Sequence, residues 1–308
     1  KERSSIVLTT IRTFIETHFG AFLLLAFVLG LTVPGLEAIP KNAILFLQAT
    51  IILFACSKIR IADFSDFRAR DVGGFYILRF ILLPILMFYI AEIVAPDYKY
   101  ALLLLGTMPC GATLPAMMSI LGGNPALGLT ATTISGLLSP FVVSVIFALF
   151  STMGLQLDIN GMFQTLFIVI FCPVLLYFGV LRRIEPLKLK MRENASMMAI
   201  VLIFGVIMIV VAYQRERFFQ EPWFFTEAFI VGTIAYFIYY AMGWFLFKNR
   251  DRSTRISYSL MGGNNNIALG ISLAALYFPE KEMFILVVWE ILWIMGVTLF
   301  QLYVKRDP

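Results

Sequence analysis

The chain has 308 residues, 60% of them apolar and only 14% charged, with a mean hydropathy of +0.88. Those figures exclude an ordinary soluble domain and suit about ten membrane helices of roughly 20 residues with short loops. The net charge of +5 does not point to nucleic acid, because the basic residues lie in the connections between apolar runs, as the positive-inside rule requires.

Residues 1–18 place Val7, Ile11, Phe14 and Ile15 on one helical face, an interfacial lead-in to the first span. The apolar run Phe19–Val33 has a basic start, but no small-residue cleavage site follows it in GLEAIP. It reads as a retained first span rather than a signal peptide. The second span covers about Ala43–Cys56, and a charged loop runs on to Asp71. The third, about Val72–Val94, contains Pro84, and the fourth begins near Tyr100 and is broken at Pro109 and Pro115. A tight turn at Gly122–Pro125 leads to the fifth, about Ala126–Phe150. The sixth is about Gly161–Leu181, with Pro173 inside it, and a basic loop, Arg182–Glu193, precedes the seventh, about Ala195–Tyr213. The eighth is about Thr226–Phe247, the ninth Ile256–Pro279 and the tenth about Met283–Val304.

Loop charge tests this assignment. With the N-terminus in the cytoplasm, the cytoplasmic segments hold 18 of the 24 Lys and Arg residues and the outer loops 5, leaving Arg79 alone inside a span. A missed or invented span would invert every later loop and erase the asymmetry. The sequence therefore predicts an all-α membrane protein with ten transmembrane helices, both ends cytoplasmic, in a bacterial inner membrane. All three cysteines, Cys56, Cys110 and Cys172, fall in apolar runs and form no disulfide framework. The lone His18 cannot build a metal cluster.

Two spans are interrupted. TMPCGATLP, Thr107–Pro115, has two prolines with Gly111 between them, and GGNNN, Gly262–Asn266, sets two glycines before three asparagines. Proline removes a backbone donor and clashes with the preceding turn. Glycine permits unwinding. Backbone broken at membrane depth survives only inside protein or around a water-filled cavity. The breaks fall five spans apart, and five crossings are an odd number, so a second five-helix copy inserts upside down. Helices 1–5 and 6–10 then form an inverted repeat, whose paired breaks mark a transporter's binding site.

The candidate substrate ligands are Asn264, Asn265 and Asn266, whose amides both donate and accept, with Thr113 and Cys110 near the other break. Pro109, Gly111, Pro115, Gly262 and Gly263 shape the backbone there. Each has a plainer reading: a structural kink at the prolines, an inter-helical amide clamp at the asparagines, and hydroxyl glue for Thr130, Thr132, Thr133 and Ser135. Arg79 is functional by default at that depth, as a substrate-binding candidate for an anion, or snorkels to the interface. Glu290 lies a similar distance from the other face and is a coupling candidate. A direct Arg79–Glu290 pair would have to close a depth gap of about 10 Å in a ~30 Å core. No HExxH, nucleophile elbow, phosphate loop or paired intramembrane aspartates point to an enzyme.

The stretches MPCGATLPAMMSILGGNPALGLTATTISGLLSP (Met108–Pro140), GGNNNIALGISLAA (Gly262–Ala275) and RFILLP (Arg79–Pro84) resemble the bile acid:sodium symporter family and its wider superfamily. The resemblance spans most of the chain. It implies core helices at about 72–150 and 226–304, with broken helices 4 and 9 crossing near the midplane, and panel helices at about 19–60 and 161–213. Substrate would lie between these domains, and the core would move against the panel. The resemblance also places the family's sodium ligands on Leu114, Pro115, Gly128, Thr132 and Met261, with Arg79 at a second site. Only Thr132 among them keeps an oxygen side chain, which makes it a further substrate-binding candidate, and Met261 stands where a carboxylate is expected. The reading is a secondary transporter of a small or amphipathic organic anion, without the family's two-sodium coupling and with no cofactor. An arsenite-like efflux carrier using Cys110 and a non-transporting receptor are the alternatives.

Overall fold

The computed structural model describes residues 12–15, 17–59, 69–150 and 156–306. Every extended element in it is helical, and the sole β-type pairing among the described residues is one isolated bridge, Cys110 to Asn265. Among the described residues, six helices are long and apolar enough to cross a membrane, and three shorter ones are apolar. The outer surface differs from a soluble protein's, carrying many exposed large apolar side chains around an apolar core that also buries polar ones. Arg79 and Asn264 are 0% exposed while Ile93 and Trp223 are 83% and 75% exposed, because lipid solvates apolar side chains and cannot solvate a guanidinium or amide.

The chain divides into two compact units, residues 1–59 with 169–216 and residues 60–168 with 217–308. In the first, α1 (Phe19–Thr32) and α2 (Asn42–Cys56) both pack on the long α9 (Glu185–Tyr213). Gly30 allows the contact on α1: a Cβ there would lie 2.7 Å from both Met208 O and Val211 Cβ. Cys56, Tyr177 and Met191 form a small buried cluster of this unit. Arg215 caps the C-terminal end of α1, donating to Gly30 O at 3.0 Å and to Val33 O, with Glu37 3.6 Å away.

The second unit holds the two interrupted spans. In chain order it contains α3 (Ala69–Ile77), a π turn at Leu78–Leu82, α4 (Leu83–Val94), α5 (Lys99–Thr107), α6 (Leu114–Leu121) and α7 (Pro125–Phe150). The division falls within α8 (Ile159–Gly179). After the short α10 (Arg215–Gln220) come α11 (Pro222–Leu246), α12 (Arg252–Gly263), α13 (Ile267–Tyr277) and α14 (Glu280–Arg306). α14 packs on α11 and α13, and its Phe284–Trp289 face is buried to 1% or less.

The third span runs close to its expected bounds, at Asp71–Val94, with a π turn at Leu78–Leu82 around Arg79, because Pro84 has no N–H for the Phe80 carbonyl and the ladder widens. Two expectations are corrected. The basic stretch Arg182–Glu193 is not a loop: from Glu185 on it is the first three turns of α9, opened by Pro186 in the first turn and carried by Lys, Leu, Arg and Glu, all good helix formers. The ninth span starts at Arg252 rather than Ile256, because Asp251 caps it. Val7 and Ile11 lie outside the described residues, while Phe14 and Ile15 are helical.

The Asp251 carboxylate accepts from Thr254 Oγ1 at 2.7 Å and from Thr254 N at 2.9 Å. Those bonds, the hydroxyl's first, hold its pKa below the ordinary carboxylate value. A depressed folded pKa gives stability that is present above the unfolded pKa and lost as pH falls through the folded one. Asp251→Ala should lower stability by about 1 kcal/mol at neutral pH. The gap to wild type should close in acid, as read from thermal midpoints across that range.

Candidate functional site

The first break lies between α5 and α6. The helix ends at Thr107, Met108 turns extended, and helix resumes at Leu114, because Pro109 and Pro115 cannot donate to a helical ladder. The second lies at Asn264–Asn266, between α12 and α13. The two breaks bond to each other through the backbone. Gly111 N donates to Asn264 O at 2.9 Å and Asn266 N to Pro109 O at 2.7 Å. Donors and acceptors freed by one break are thus satisfied by the other, as buried backbone must be. Gly111 is required: a Cβ there would sit 2.5 Å from Asn264 Oδ1 and 3.3 Å from Asn265 O.

The Gly262–Gly263 pair acts differently from the unwinding expected of it. Both residues are still helical, and among the described residues only Gly35 and Gly122 have positive φ. Their role is close approach: a Cβ on Gly262 would meet the Tyr239 carbonyl, and one on Gly263 the Tyr240 ring.

The Arg79 side chain runs into the junction. Its Nε donates to Gly262 O at 2.6 Å, one terminal nitrogen to Gly106 O at 2.7 Å and the other to Asn265 Oδ1 at 2.5 Å. The guanidinium lies 3.9 Å from the Tyr239 ring centroid, within cation–π range. It does not snorkel, and it pairs with no described carboxylate. Glu290 is 4% exposed, and its Oε2 has no hydrogen-bond partner. Asn265 is held on its other side as well, donating through Nδ2 to Leu105 O at 2.6 Å.

The remaining predicted residues divide by how firmly they are held. Asn266 caps α13, its Oδ1 accepting from Leu269 N at 3.2 Å. Thr132 Oγ1 donates to Gly111 O at 3.3 Å. Cys110 is 3% exposed, with its Sγ 3.9 Å from Met261 O and its N–H on Ser135 Oγ at 3.0 Å. Asn264 and Thr113 touch only at 3.4–3.5 Å, at or beyond the limit of a good side-chain hydrogen bond. Their polar atoms are the least committed of the group.

Three participants have no clear sequence signal. Tyr239 is one of three tyrosines at 236, 239 and 240. Gly106 looks like any span glycine, yet a Cβ there would lie 2.6 Å from both Pro84 and the Tyr239 hydroxyl. Ser257 Oγ accepts from Asn124 N at 2.8 Å, tying α12 to the α6–α7 turn.

Residues 50–221 match the sodium bile acid symporter family. The chain belongs to that family. The match includes Arg79 and the first break and stops short of the three asparagines. Across both breaks the chain is similar to an uncharacterised sodium-dependent transporter, YocS, of Bacillus subtilis (strain 168). The two are 22% identical over 280 residues, covering 88% of this chain and 86% of that protein. Family membership and the apolar helices make this an integral, multi-pass membrane protein with a transported substrate, and support a secondary transporter.

The side chains at the positions that the resemblance aligns with sodium ligands do not fit two sodium ions. A hard cation takes several oxygen ligands. Leu114 and Met261 are buried and apolar, at 0% and 2% exposure, and Gly128 and Pro115 offer no side-chain oxygen. The Thr132 hydroxyl already bonds Gly111 O. Where a second cation would stand beside α12, the Arg79 guanidinium bonds Gly262 O.

Proposed function

We propose that the protein is a secondary transporter of a small or amphipathic organic anion in which Arg79 serves as a built-in cation at the paired breaks. One observation carries this reading: the guanidinium bonds oxygen atoms from both interrupted spans, Gly106 O from the first and Gly262 O and Asn265 Oδ1 from the second. A sodium ion there would neutralise the same oxygens. A tethered cation does so at every stage of the cycle and needs no sodium gradient. Asn264 and Thr113, whose amide and hydroxyl touch each other only at 3.4–3.5 Å, are the substrate ligands of the reading, and Glu290, buried with an unpartnered oxygen, is its proton-coupling residue.

The rest of the architecture belongs to the same proposal. Ten spans form two inverted five-helix repeats, with both ends cytoplasmic in a bacterial inner membrane, and the broken fourth and ninth spans cross. The second unit is the core, the first the panel, and movement of one against the other alternates access. The asymmetry of 18 against 5 basic residues supports the orientation. The pairing of the breaks supports the repeat.

The test is uptake of radiolabelled bile acids and keto acids into proteoliposomes, with an inward sodium gradient or with choline replacing it. Uptake should be equal within about two-fold, since a lost sodium driving force would change accumulation by far more. Strong sodium dependence would defeat the built-in cation. Glu290→Gln should remove any response to a pH gradient. The metalloid alternative rests on the Cys110 thiol, so Cys110→Ser would abolish arsenite efflux under that reading and leave organic-anion uptake intact.

A further inference from the structure

α11 and α14 face each other across an elongated cavity of about 520 Å³ whose walls are almost wholly apolar. Phe229 and Phe245 bracket it on α11, about 24 Å apart at the helical rise, while Met295, Leu299 and Tyr303 line it from α14. This groove opens to the outside of the protein: Phe237 is 71% exposed, Phe245 64% and Leu299 61%. Both helices have the length and apolarity of a span, so the groove runs along the hydrocarbon layer. One lipid chain crosses about half of a ~30 Å core, and the groove is long enough to hold it.

One end of the groove differs from the rest. There the Trp244 and Tyr303 rings meet at 5.3 Å, and the Arg255 guanidinium stacks on Trp244 at 4.0 Å from the ring centroid. Arg255 Nε is buried without a hydrogen-bond partner, and Arg255 forms no ion pair with a described carboxylate. Tryptophan and tyrosine at that end match the headgroup level of a bilayer. Lys248 and Arg252 lie in and beside the α11–α12 connection, close in sequence to Arg255. Arg252 is turned to Val304 O at the far end of α14, while Arg255 lies against Trp244, which lines the groove.

We infer that this groove is a binding site for an anionic phospholipid, one acyl chain lying between α11 and α14 and the phosphate held by Arg255. An apolar channel accounts for the chain, and an unpaired guanidinium at the aromatic end accounts for the headgroup charge. A planar guanidinium with free donors matches two phosphate oxygens at once. The site lies wholly within the second unit and does not depend on what the transporter carries.

Native mass spectrometry of the purified full chain, with phosphatidylglycerol or phosphatidylcholine of identical acyl chains, tests it. Phosphatidylglycerol should bind about five-fold tighter, the worth of one basic side chain against an anionic lipid. Arg255→Gln should erase that preference and leave phosphatidylcholine binding unchanged. Met295→Trp, at a half-exposed position that tolerates bulk, should weaken both lipids by filling the groove. Equal binding of the two lipids by the wild type would overturn the proposal, as would a preference that survives Arg255→Gln. A lipid-free dimer cross-linked through Phe237 and Phe245 would assign the groove to a second copy of the chain and overturn it too.

Discussion

Arg79→Met is expected to lower the stability of the native fold by about 3–5 kcal/mol, the range found when one partner of a buried charged network is removed. The side chain is fully buried and bonds three acceptors drawn from both interrupted spans. Methionine fills similar volume but leaves those oxygens with one donor fewer each. An unsatisfied buried acceptor costs about 1–3 kcal/mol, and the three losses are not additive, because the breaks relax together. Arg79→Lys should fall between the two: it keeps the charge, but a compact ammonium cannot span three acceptors that a planar fork meets at once. Thermal midpoints of the three proteins in one detergent check the order. Destabilisation alone would follow for any buried arginine, so the cation reading needs a second readout. The double substitution Arg79→Gln with Met261→Glu removes the guanidinium and installs the carboxylate that the family resemblance expects at position 261. Its midpoint should rise with added sodium relative to potassium, as ligand binding to the native state requires, while the wild type responds to neither. A sodium-sensitive wild type, or an indifferent double variant, would remove Arg79 from the cation's role.

The second large effect separates two neighbouring asparagines. Asn265 is clamped by Arg79 at 2.5 Å and by Leu105 O at 2.6 Å. Among the described residues the Asn264 side chain bonds only Thr113, at 3.4–3.5 Å. Asn265→Ala removes an acceptor from a buried guanidinium and should cost about 3 kcal/mol or more, visible as a fall in midpoint. Asn264→Ala removes no short side-chain bond and should leave the midpoint close to wild type. If Asn264 and Thr113 hold the substrate, its uptake should nevertheless fall at least about ten-fold, equivalent to losing 1.4 kcal/mol of substrate binding. The reverse pattern, with Asn264→Ala unfolding the protein and Asn265→Ala harmless to stability, would mean that the roles have been exchanged. Gly111→Ala gives an independent check: its Cβ would press on Asn264 Oδ1 and Asn265 O, so it should separate the breaks and reduce uptake.

Hydropathy made the spans legible, and it did so for a physical reason: a lipid-facing helix must be apolar around most of its girth and long enough to cross. The breaks were legible too. Two prolines cannot be hidden inside a helical ladder, and three amides in hydrocarbon require a protein interior. Element ends were less legible. A Pro–Lys–Glu-rich start to α9 looks like a loop when apolarity is the signal, although those residues propagate helix well. The π turn at Leu78–Leu82 was invisible because its cause, the missing N–H of Pro84, reads equally as a mild kink.

The partners of Arg79 lay beyond the sequence. A charge at that depth announced a special position, but snorkelling, an anionic ligand and a pair with Glu290 were all compatible with it. Depth along separate helices says little about which side chains meet. Gly262 and Asn265 are more than 180 positions away from Arg79 in the chain, and only the packing of the π turn with α5, α11 and α12 brings them together. Residue type and spacing by themselves determined a multi-pass helical membrane protein with two interrupted spans, because those follow from local backbone chemistry and solvent. Tertiary structure alone decided what the interruptions do: each satisfies the other's backbone, and a buried guanidinium bonds both. Hydrogen-bond partners across a packed interface are set by distance in space, and a linear pattern does not carry that distance.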